Sequence, residues 1–332
     1  MLQSSARAIA WLCIVLPLFA SASASARAAA EEERIDIGGY KLNSVFIPAS
    51  GKARLPPIVF IHGASANLYD PMLSFREKLE GKADLLFVDR PGHGRSDRGG
   101  PENAFPDGQA DAIAALMKKR GIRRAIIVSH SFGGAVAAAF ALDHPDMVAG
   151  LVFLSPAVYP WPGGIAWYYD AATAPLTGPL FSALVVPPVG LAMVDGATRS
   201  VFAPNRRPPG YISKARTLLA LRPAEFHNNA TDVANLLEWT KKASPRYRQI
   251  KAPTVIITGD TDSVVSPKIH SAHLAKDIRG ARLIVVHNLG HKSDYVASDL
   301  AVGAIETLGG EHPNLRGIAQ VIEARIAGDG KK

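Results

Sequence analysis

Short apolar runs alternate with stretches of helical periodicity along most of the chain. The runs are rich in Val, Ile, Leu and Phe, as is typical of strands buried on both faces. Two strands are predicted at 34–42 and 43–48, around Gly38-Gly39, and further strands at 57–61, 84–89, 125–128, 148–154, 253–258 and 282–286. Helices are predicted at 70–79, 108–120, 135–142, 270–278, 299–308 and 315–326. This alternation predicts an α/β fold, with a mostly parallel, twisted sheet and helices on both faces.

The alternation stops between residues 157 and 250. Pro and aromatic residues concentrate in this segment, and proline pairs separate what look like short helices. Ligands of parallel sheets bind at the carboxyl ends of the strands. We therefore expect a core formed by 31–156 and 251–332, with 157–250 inserted as a helical lid over that edge.

Residues 1–30 have the pattern of a secretory signal peptide. Arg7 precedes an uncharged apolar run at 8–20, and Ala-x-Ala cleavage options follow between Ala22 and Ala30. The sequence thus predicts an exported protein, periplasmic or secreted, with an uncleaved N-terminal anchor as the alternative. Cys13, the only cysteine, lies in this run. Thiolate catalysis, disulfides and cysteine-ligated metals are therefore not expected in the mature chain.

The basic charge of the chain does not indicate a nucleic-acid partner. The formal net charge is +8, and removing 1–30 takes away Arg7 and Arg27 but no acid, leaving +6. The basic residues stand singly or in pairs, without the long runs or aromatic interleaving that favour nucleic acid. No ligand spacing such as H-E-x-x-H indicates a metal, and no cofactor is expected.

Residues 125–142 combine a strand, a sharp turn and an Ala-rich helix. The turn reads Ser129-His130-Ser131-Phe132-Gly133-Gly134, and its small residues permit close backbone approach. This is the context of a nucleophile elbow, which holds a serine strained and exposed at the end of a strand. Ser131 is the central residue, although Ser129 stands where such an elbow usually has Gly.

A serine nucleophile needs a base and a carboxylate that orients the base. Strand 253–258 leads into Gly259-Asp260-Thr261-Asp262, and strand 282–286 leads into Asn288-Leu289-Gly290-His291. The chain order Ser131, acid, His291 is that of hydrolase elbows. Asp262 is the predicted acid and Asp260 the alternative.

Together these motifs resemble the α/β-hydrolase fold family, in the branch with a serine nucleophile and a lid after the sixth strand. The resemblance also rests on His62-Gly63 and on the loop Asp89–Ser96, DRPGHGRS. It implies that Ser131 is the nucleophile, that His291 is the general base and acid, and that Asp262 is the carboxylate. It further implies an oxyanion hole formed by the backbone N–H groups of Ala64 and Phe132.

A serine at the elbow, where some relatives use Asp, favours chemistry through an acyl-enzyme. Hydrolysis of carboxylic esters with apolar or lipid-like acyl groups is the leading interpretation, and Trp161, Trp167 and Tyr168 of the lid are candidate substrate contacts. The expected partner is a small apolar ester, with no obligate membrane partner. Acyl transfer, thioester hydrolysis or perhydrolysis is the enzymatic alternative. A non-catalytic binding protein is the alternative from another class.

Overall fold

A computed structural model describes residues 31–331 and shows an eight-stranded sheet. The predicted signal peptide, 1–30, and Lys332 lie outside these residues. The strand order is β1-β2-β4-β3-β5-β6-β7-β8, and all neighbours are parallel except β1 with β2 and β2 with β4. The strands are β1 Glu32–Asp36, β2 Lys41–Ile47, β3 Ile58–Ile61, β4 Leu85–Val88, β5 Ala125–His130, β6 Val148–Leu154, β7 Thr254–Gly259 and β8 Arg282–Val286. The predicted α/β class is confirmed.

The predicted boundary between the first two strands, at 42/43, is wrong. The chain turns earlier, because Asp36 Oδ1 accepts the backbone N–H groups of Gly38 and Gly39 at 2.8 and 3.0 Å. β2 therefore runs continuously through the predicted boundary. The turn lies at Gly38-Gly39, as the sequence indicates, but the apolar pattern does not show where the flanking strands end.

Helices cover both faces of the sheet and bury two apolar layers. α2, α3 and α9 pack with α8 on one face, and α1, α11 and α12 pack on the other. These helices are α1 Tyr69–Leu79, α2 Pro106–Lys119, α3 Phe132–Asp143, α8 Pro223–Ala243, α9 Ser271–Asp277, α11 Ser298–Leu308 and α12 Leu315–Ile326, with a short α10 at Ser293–Val296. α10 is not among the predicted helices.

The segment 157–250 is helical and joins two neighbouring parallel strands, β6 and β7. Its first part contains α4 Trp167–Thr173, α5 Gly178–Leu180, a π-helical turn Phe181–Val185, α6 Val186–Phe202 and α7 Tyr211–Lys214. α8 completes it with 21 residues, about 31 Å of helix. The amino end of α8 packs on α4, while Leu236, Trp239 and Ala243 join the core layer.

Close packing of the loops after β7 and β8 generates a stability prediction. A Cβ added to Gly259 would lie 1.8 Å from the carbonyl oxygen of Leu289, whereas one added to Gly196 on α6 meets nothing within 4 Å. Gly259→Ala should therefore lower the free energy of unfolding by about 2–3 kcal/mol. Gly196→Ala should be neutral or stabilise by up to about 1 kcal/mol. Urea unfolding curves measure both, and equal midpoints would contradict the packing argument.

Candidate active site

Ser131 occupies the junction between β5 and α3 in a strained backbone conformation. Its φ of 53° and ψ of −121° lie in a region that L-residues rarely adopt, at a cost of about 1–3 kcal/mol. Hydrogen bonds hold it there: its N–H donates to Leu154, and its carbonyl accepts from Gly134 and Ala157 at 2.9–3.0 Å. The side chain remains partly exposed. The turn thus presents the hydroxyl at the carboxyl end of β5.

The helix that follows Ser131 starts against the neighbouring strand. A Cβ on Gly133 would lie 2.5 Å from the carbonyl oxygen of Ile61 and 2.7 Å from that of His62. Only glycine fits at this distance without moving the strand. The small residue expected at this turn position is therefore a direct consequence of how β3 and α3 approach each other.

His291 lies beside the serine and is almost completely buried. Its Nε2 is 3.0 Å from Ser131 Oγ, and its Nδ1 is 2.8 Å from Asp262 Oδ2. Because a carboxylate only accepts hydrogen bonds, Nδ1 carries a hydrogen and the neutral ring leaves Nε2 free to accept from the hydroxyl. The structure therefore brings Ser131, His291 and Asp262 into one hydrogen-bonded chain.

Asp262 is held as an anion by its surroundings. Its Oδ1 accepts the backbone N–H groups of Val264 and Val265, each at 2.9 Å. Burial raises the pKa of Asp262, but the hydrogen bond to His291, the positive charge that this ring has when it is protonated, and the two N–H groups outweigh burial and place the pKa below its usual value. Asp260 lies apart from the triad, where it contacts His287 and the N–H of Asn288.

The loop after β3 packs against the elbow, as the predicted oxyanion hole requires. A Cβ on Gly63 would lie 3.1 Å from Ser131 Cβ, so the backbone leading into Ala64 passes next to the serine. Phe132 is the first residue of α3, and a first-turn N–H has no acceptor within its helix. The N–H groups of Ala64 and Phe132 are therefore the candidates to receive a developing negative charge.

Arg90 holds this loop in place through buried hydrogen bonds. Its guanidinium is fully buried and donates to the carbonyl oxygens of His62 and Gly63 at 3.1 and 3.0 Å. It also lies 4.5 Å from the ring centroid of Phe132 and 3.0 Å from Asp232 on α8. Burial lowers the pKa of Arg90 to about 10, so the group stays charged at neutral pH. The guanidinium of Arg90 thus connects the loop after β3, helix α3 and the inserted segment 157–250.

Lys292, the residue after His291, is the centre of a second buried network. Lys292 Nζ lies 2.7 Å from Asp70 Oδ2 and 2.9 Å from Asp294 Oδ2, and Tyr211 on α7 donates to Asp70 at 2.6 Å. Burial lowers the pKa of Lys292, but the two carboxylates outweigh it and raise the pKa well above its usual value. The network therefore ties the histidine loop to α1 and to the lid segment.

Part of this network has the spacing of a metal site. Asp70, His130 and Asp294 each place one possible ligand atom within 4.8 Å of the others. The ammonium of Lys292 already lies between both carboxylates at hydrogen-bond distance. A dication at the same place would meet a fixed positive charge, so we assign the cluster as an ion-pair network.

His130, directly before the nucleophile, supports the loop of His291. Its Nε2 lies 3.0 Å from the carbonyl oxygen of His291, and the two imidazole centroids are 4.8 Å apart. Burial lowers the pKa of His130 to about 4. The ring is therefore neutral at physiological pH and donates to that carbonyl, which leaves proton exchange with Ser131 to His291.

The three aromatic residues predicted to contact substrate occupy different environments. Trp161 is half-buried against the core layer, with its ring centroid 6.1 Å from that of His270. Trp167, on α4, is 71% exposed and packs edge-on against Tyr168 and Phe181. Of the three, Trp161 has the contact nearest the triad, because His270 is close enough for the charge of Asp262 to affect its pKa.

Sequence reasoning did not identify the buried charged residues that support the loops of the site. Asp70, Asp232, Lys292 and Asp294 are polar residues in helices and loops, where a solvated position is the ordinary expectation. Lys292 and Asp294 directly follow the histidine motif, in His291-Lys292-Ser293-Asp294. That adjacency is the one signal in the sequence that could have indicated them.

His270 generates a prediction about acid stability. Its Nδ1 accepts the N–H groups of Val158 and Tyr159 at 3.1 and 3.0 Å, and burial lowers its pKa to about 4. An unfolded histidine titrates near about 6.5. Above that pH, His270 is neutral in both the folded and the unfolded chain. Between that pH and 4, it binds a proton only in the unfolded chain, so the free energy of unfolding falls as the pH is lowered.

The measurement compares wild type with His270→Gln by urea unfolding at several pH values. The wild type should lose up to about 3 kcal/mol more than the variant between pH 6.5 and 4. Parallel pH profiles for the two proteins would show that His270 is protonated equally in the folded and unfolded chains.

Comparisons with known proteins identify the family of the chain. A family model described as alpha/beta hydrolase fold matches residues 56–295. A 2-(acetamidomethylene)succinate hydrolase of Mesorhizobium japonicum is 26% identical over 296 residues, 82% of this chain and 92% of that protein. The monoacylglycerol lipase abhd6-A of Xenopus laevis is 25% identical over 237 residues, 70% of this chain and 69% of that protein.

Among solved structures, the enol-lactonase from Burkholderia xenovorans LB400 superposes with a TM-score of 0.66 at 19% identity, covering 84% of this chain and 100% of the other. At that identity the likeness speaks for the fold alone. The family match covers far more than half of the chain and confirms the resemblance seen in the motifs. This chain belongs to the alpha/beta hydrolase fold family.

Proposed function

We propose that the protein is a serine hydrolase that cleaves carboxylic esters with apolar acyl groups through an acyl-enzyme. The observation that carries this proposal is the hydrogen-bonded chain from Ser131 through His291 to Asp262, with distances of 3.0 and 2.8 Å. A nucleophile, a base and an orienting acid at these distances are the arrangement that acyl transfer through serine requires.

In the first half-reaction, Ser131 Oγ attacks the ester carbonyl carbon while its proton moves to His291 Nε2. The carboxylate of Asp262 stabilises the imidazolium that forms. The tetrahedral oxyanion is received by the N–H groups of Phe132 and Ala64, whose donors are fixed before the reaction begins. His291 then gives the proton to the leaving alcohol, and the acyl group remains on Ser131.

In the second half-reaction, water attacks the acyl-enzyme with His291 as its base. Release of the acid restores the serine. Acyl transfer, thioester hydrolysis and perhydrolysis would use the same steps up to the acyl-enzyme and differ in the leaving group or the acceptor. Partial exposure of Ser131 supports water as the acceptor, because solvent reaches the acyl carbon.

Two features support an apolar acyl group. Trp161 offers a half-buried aromatic surface beside the loops of the triad, and apolar substrates gain free energy in proportion to the area they bury on such surfaces. The similarity to a monoacylglycerol lipase, whose name describes a lipid ester substrate, points in the same direction.

The two neighbouring acids allow a matched test of the triad. Asp262→Asn should lower kcat on a p-nitrophenyl ester by about three to four orders of magnitude, because the imidazole loses its orienting carboxylate. Asp260→Asn should change kcat less than about threefold, because Asp260 contacts only His287 and Asn288. The opposite ranking would show that the acid is assigned to the wrong residue.

The nucleophile is tested by covalent labelling. Ser131→Ala should abolish both turnover and labelling by a fluorophosphonate probe, since no hydroxyl remains to attack, while near-ultraviolet circular dichroism stays unchanged. A folded Ser131→Ala protein that still turns over an ester at the wild-type rate would refute the proposed function. A folded wild-type protein that is not labelled would favour the alternative of a non-catalytic binding protein.

The acyl site is tested with Trp161→Ala and Trp167→Ala. Loss of the half-buried indole should lower kcat/KM for a long-chain ester by about tenfold relative to an acetate ester. The exposed Trp167 serves as the control and should leave this ratio unchanged. Equal losses on both esters in Trp161→Ala would assign Trp161 to packing alone.

A further inference from the structure

α5, the π-helical turn and α6 form one continuous helical stretch, Gly178–Phe202, on the outside of the lid segment. Within residues 31–331, it is the helix that is long and apolar enough to cross a membrane by length and composition. Its most apolar window has a mean hydropathy of 1.7, yet only 11% of that window is buried. A large apolar surface therefore faces outward on a protein whose other helices bury theirs.

In this helix the larger apolar side chains face outward and the smaller side chains face the protein, which is the reverse of an ordinary amphipathic helix. Positions spaced by four face the protein, and they are mostly small: Gly178, Ser182, Val186, Gly190, Val194 and Thr198, followed by Phe202. The larger apolar side chains face away: Leu176 before the helix, then Leu180, Leu184, Val185, Val189, Leu191 and Met193. A helix in contact with water normally shows its polar face outward, so this face is built for an apolar environment.

The basic residues of the segment follow the apolar part of the helix in the chain rather than lying within it. No Asp, Glu, Lys or Arg occurs from 171 to 194, whereas the segment 157–222 as a whole has six basic and two acidic residues. The basic residues gather after the apolar part of α6: Arg199, Arg206, Arg207, Lys214, Arg216 and Arg222. Asp195 is paired with Arg199 and Arg207, Arg206 lies 3.7 Å from Asp329, and Arg216 lies 3.1 Å from Glu32. Basic residues still outnumber these acids, and the side chains of Arg199, Arg206 and Arg216 remain at least half exposed.

We propose that this face, from Leu176 to Met193 with its basic border, docks reversibly on an anionic lipid surface. An apolar helix face beside Lys and Arg is the pattern of helices that lie in the membrane interface, with the basic residues paired to anionic headgroups. The exposed Trp167 and Tyr168 stand beside Phe181, where aromatic rings suit the boundary between lipid and water.

The structure favours this occupant over two others. A helix that crossed the bilayer would have to leave its contacts, but Ser182, Val186 and Phe202 are buried against the protein. A second copy of the chain would bring two basic borders together, which repel, whereas anionic headgroups attract them. Docking through the lid segment is separate from the N-terminal anchor considered for residues 1–30, and it does not depend on the proposed hydrolase activity.

A single label can localise the contact, because Cys13 is the only cysteine in the sequence. In a Cys13→Ser, Ser131→Ala background, Leu184→Cys and Val321→Cys are each labelled with bimane; the two native side chains are 70% and 71% exposed. The Ser131→Ala change keeps vesicle lipids intact. With vesicles of phosphatidylcholine and phosphatidylglycerol, the label at 184 should shift to the blue and be quenched by doxyl lipids, and the label at 321 should not.

Partitioning into the same vesicles tests the energetics. Leu184→Ser with Leu191→Ser should weaken the binding that depends on this face by about tenfold or more, whereas Val321→Ser should leave it unchanged. Added salt and vesicles of phosphatidylcholine alone should both reduce the signal at 184. An unchanged spectrum at 184 would overturn the proposal, as would an equal response on both vesicle types. A blue shift without lipid that grows with protein concentration would assign the face to a second copy and overturn it as well.

Discussion

The buried guanidinium of Arg90 is the constraint on which the site depends. It donates to both carbonyl groups of the His62-Gly63 backbone, packs on Phe132 and pairs with Asp232. These contacts come from three different parts of the chain, so no local preference could hold them in register. Replacing a buried ion-paired cation leaves its partners unpaired, typically at about 3–5 kcal/mol. The position of the candidate oxyanion donors is thus a consequence of tertiary charge pairing.

The lid segment is attached to the core by buried polar groups at several points. Asp232 meets Arg90 and His93, Tyr211 meets Asp70, and Asn205 accepts the N–H of Gly290, directly before His291. Such contacts are directional and must be fully satisfied, so they select one orientation of the segment where apolar packing would permit several. The Asn205 contact ends on the loop that carries His291, and Asp70 also binds Lys292 of that loop, which couples the inserted segment to the geometry of the site.

The sequence was sufficient for the sheet and for the family, because buried strands and the elbow leave strong local patterns. The apolar run at 125–128 and the small residues around Ser131 reflect crowding that the structure reproduces at Gly133. The first strand boundary could not be predicted, since it depends on one carboxylate, Asp36, capping a turn. Nor could Asp70 and Asp232, the distant partners of Lys292 and Arg90, because they lie far away in the chain and such residues are ordinarily solvated.

The 21 residues of α8 combine two tasks that the fold usually separates. Because β6 and β7 are parallel neighbours, the chain must return along the height of the sheet between them, and α8 makes that return while its amino end supports α4. Because the carboxyl part of α8 is packed in the core layer, this helix cannot move independently of the core. A substitution that loosens Leu236 or Trp239 in the core layer would therefore also shift, through the same helix, the residues that support α4.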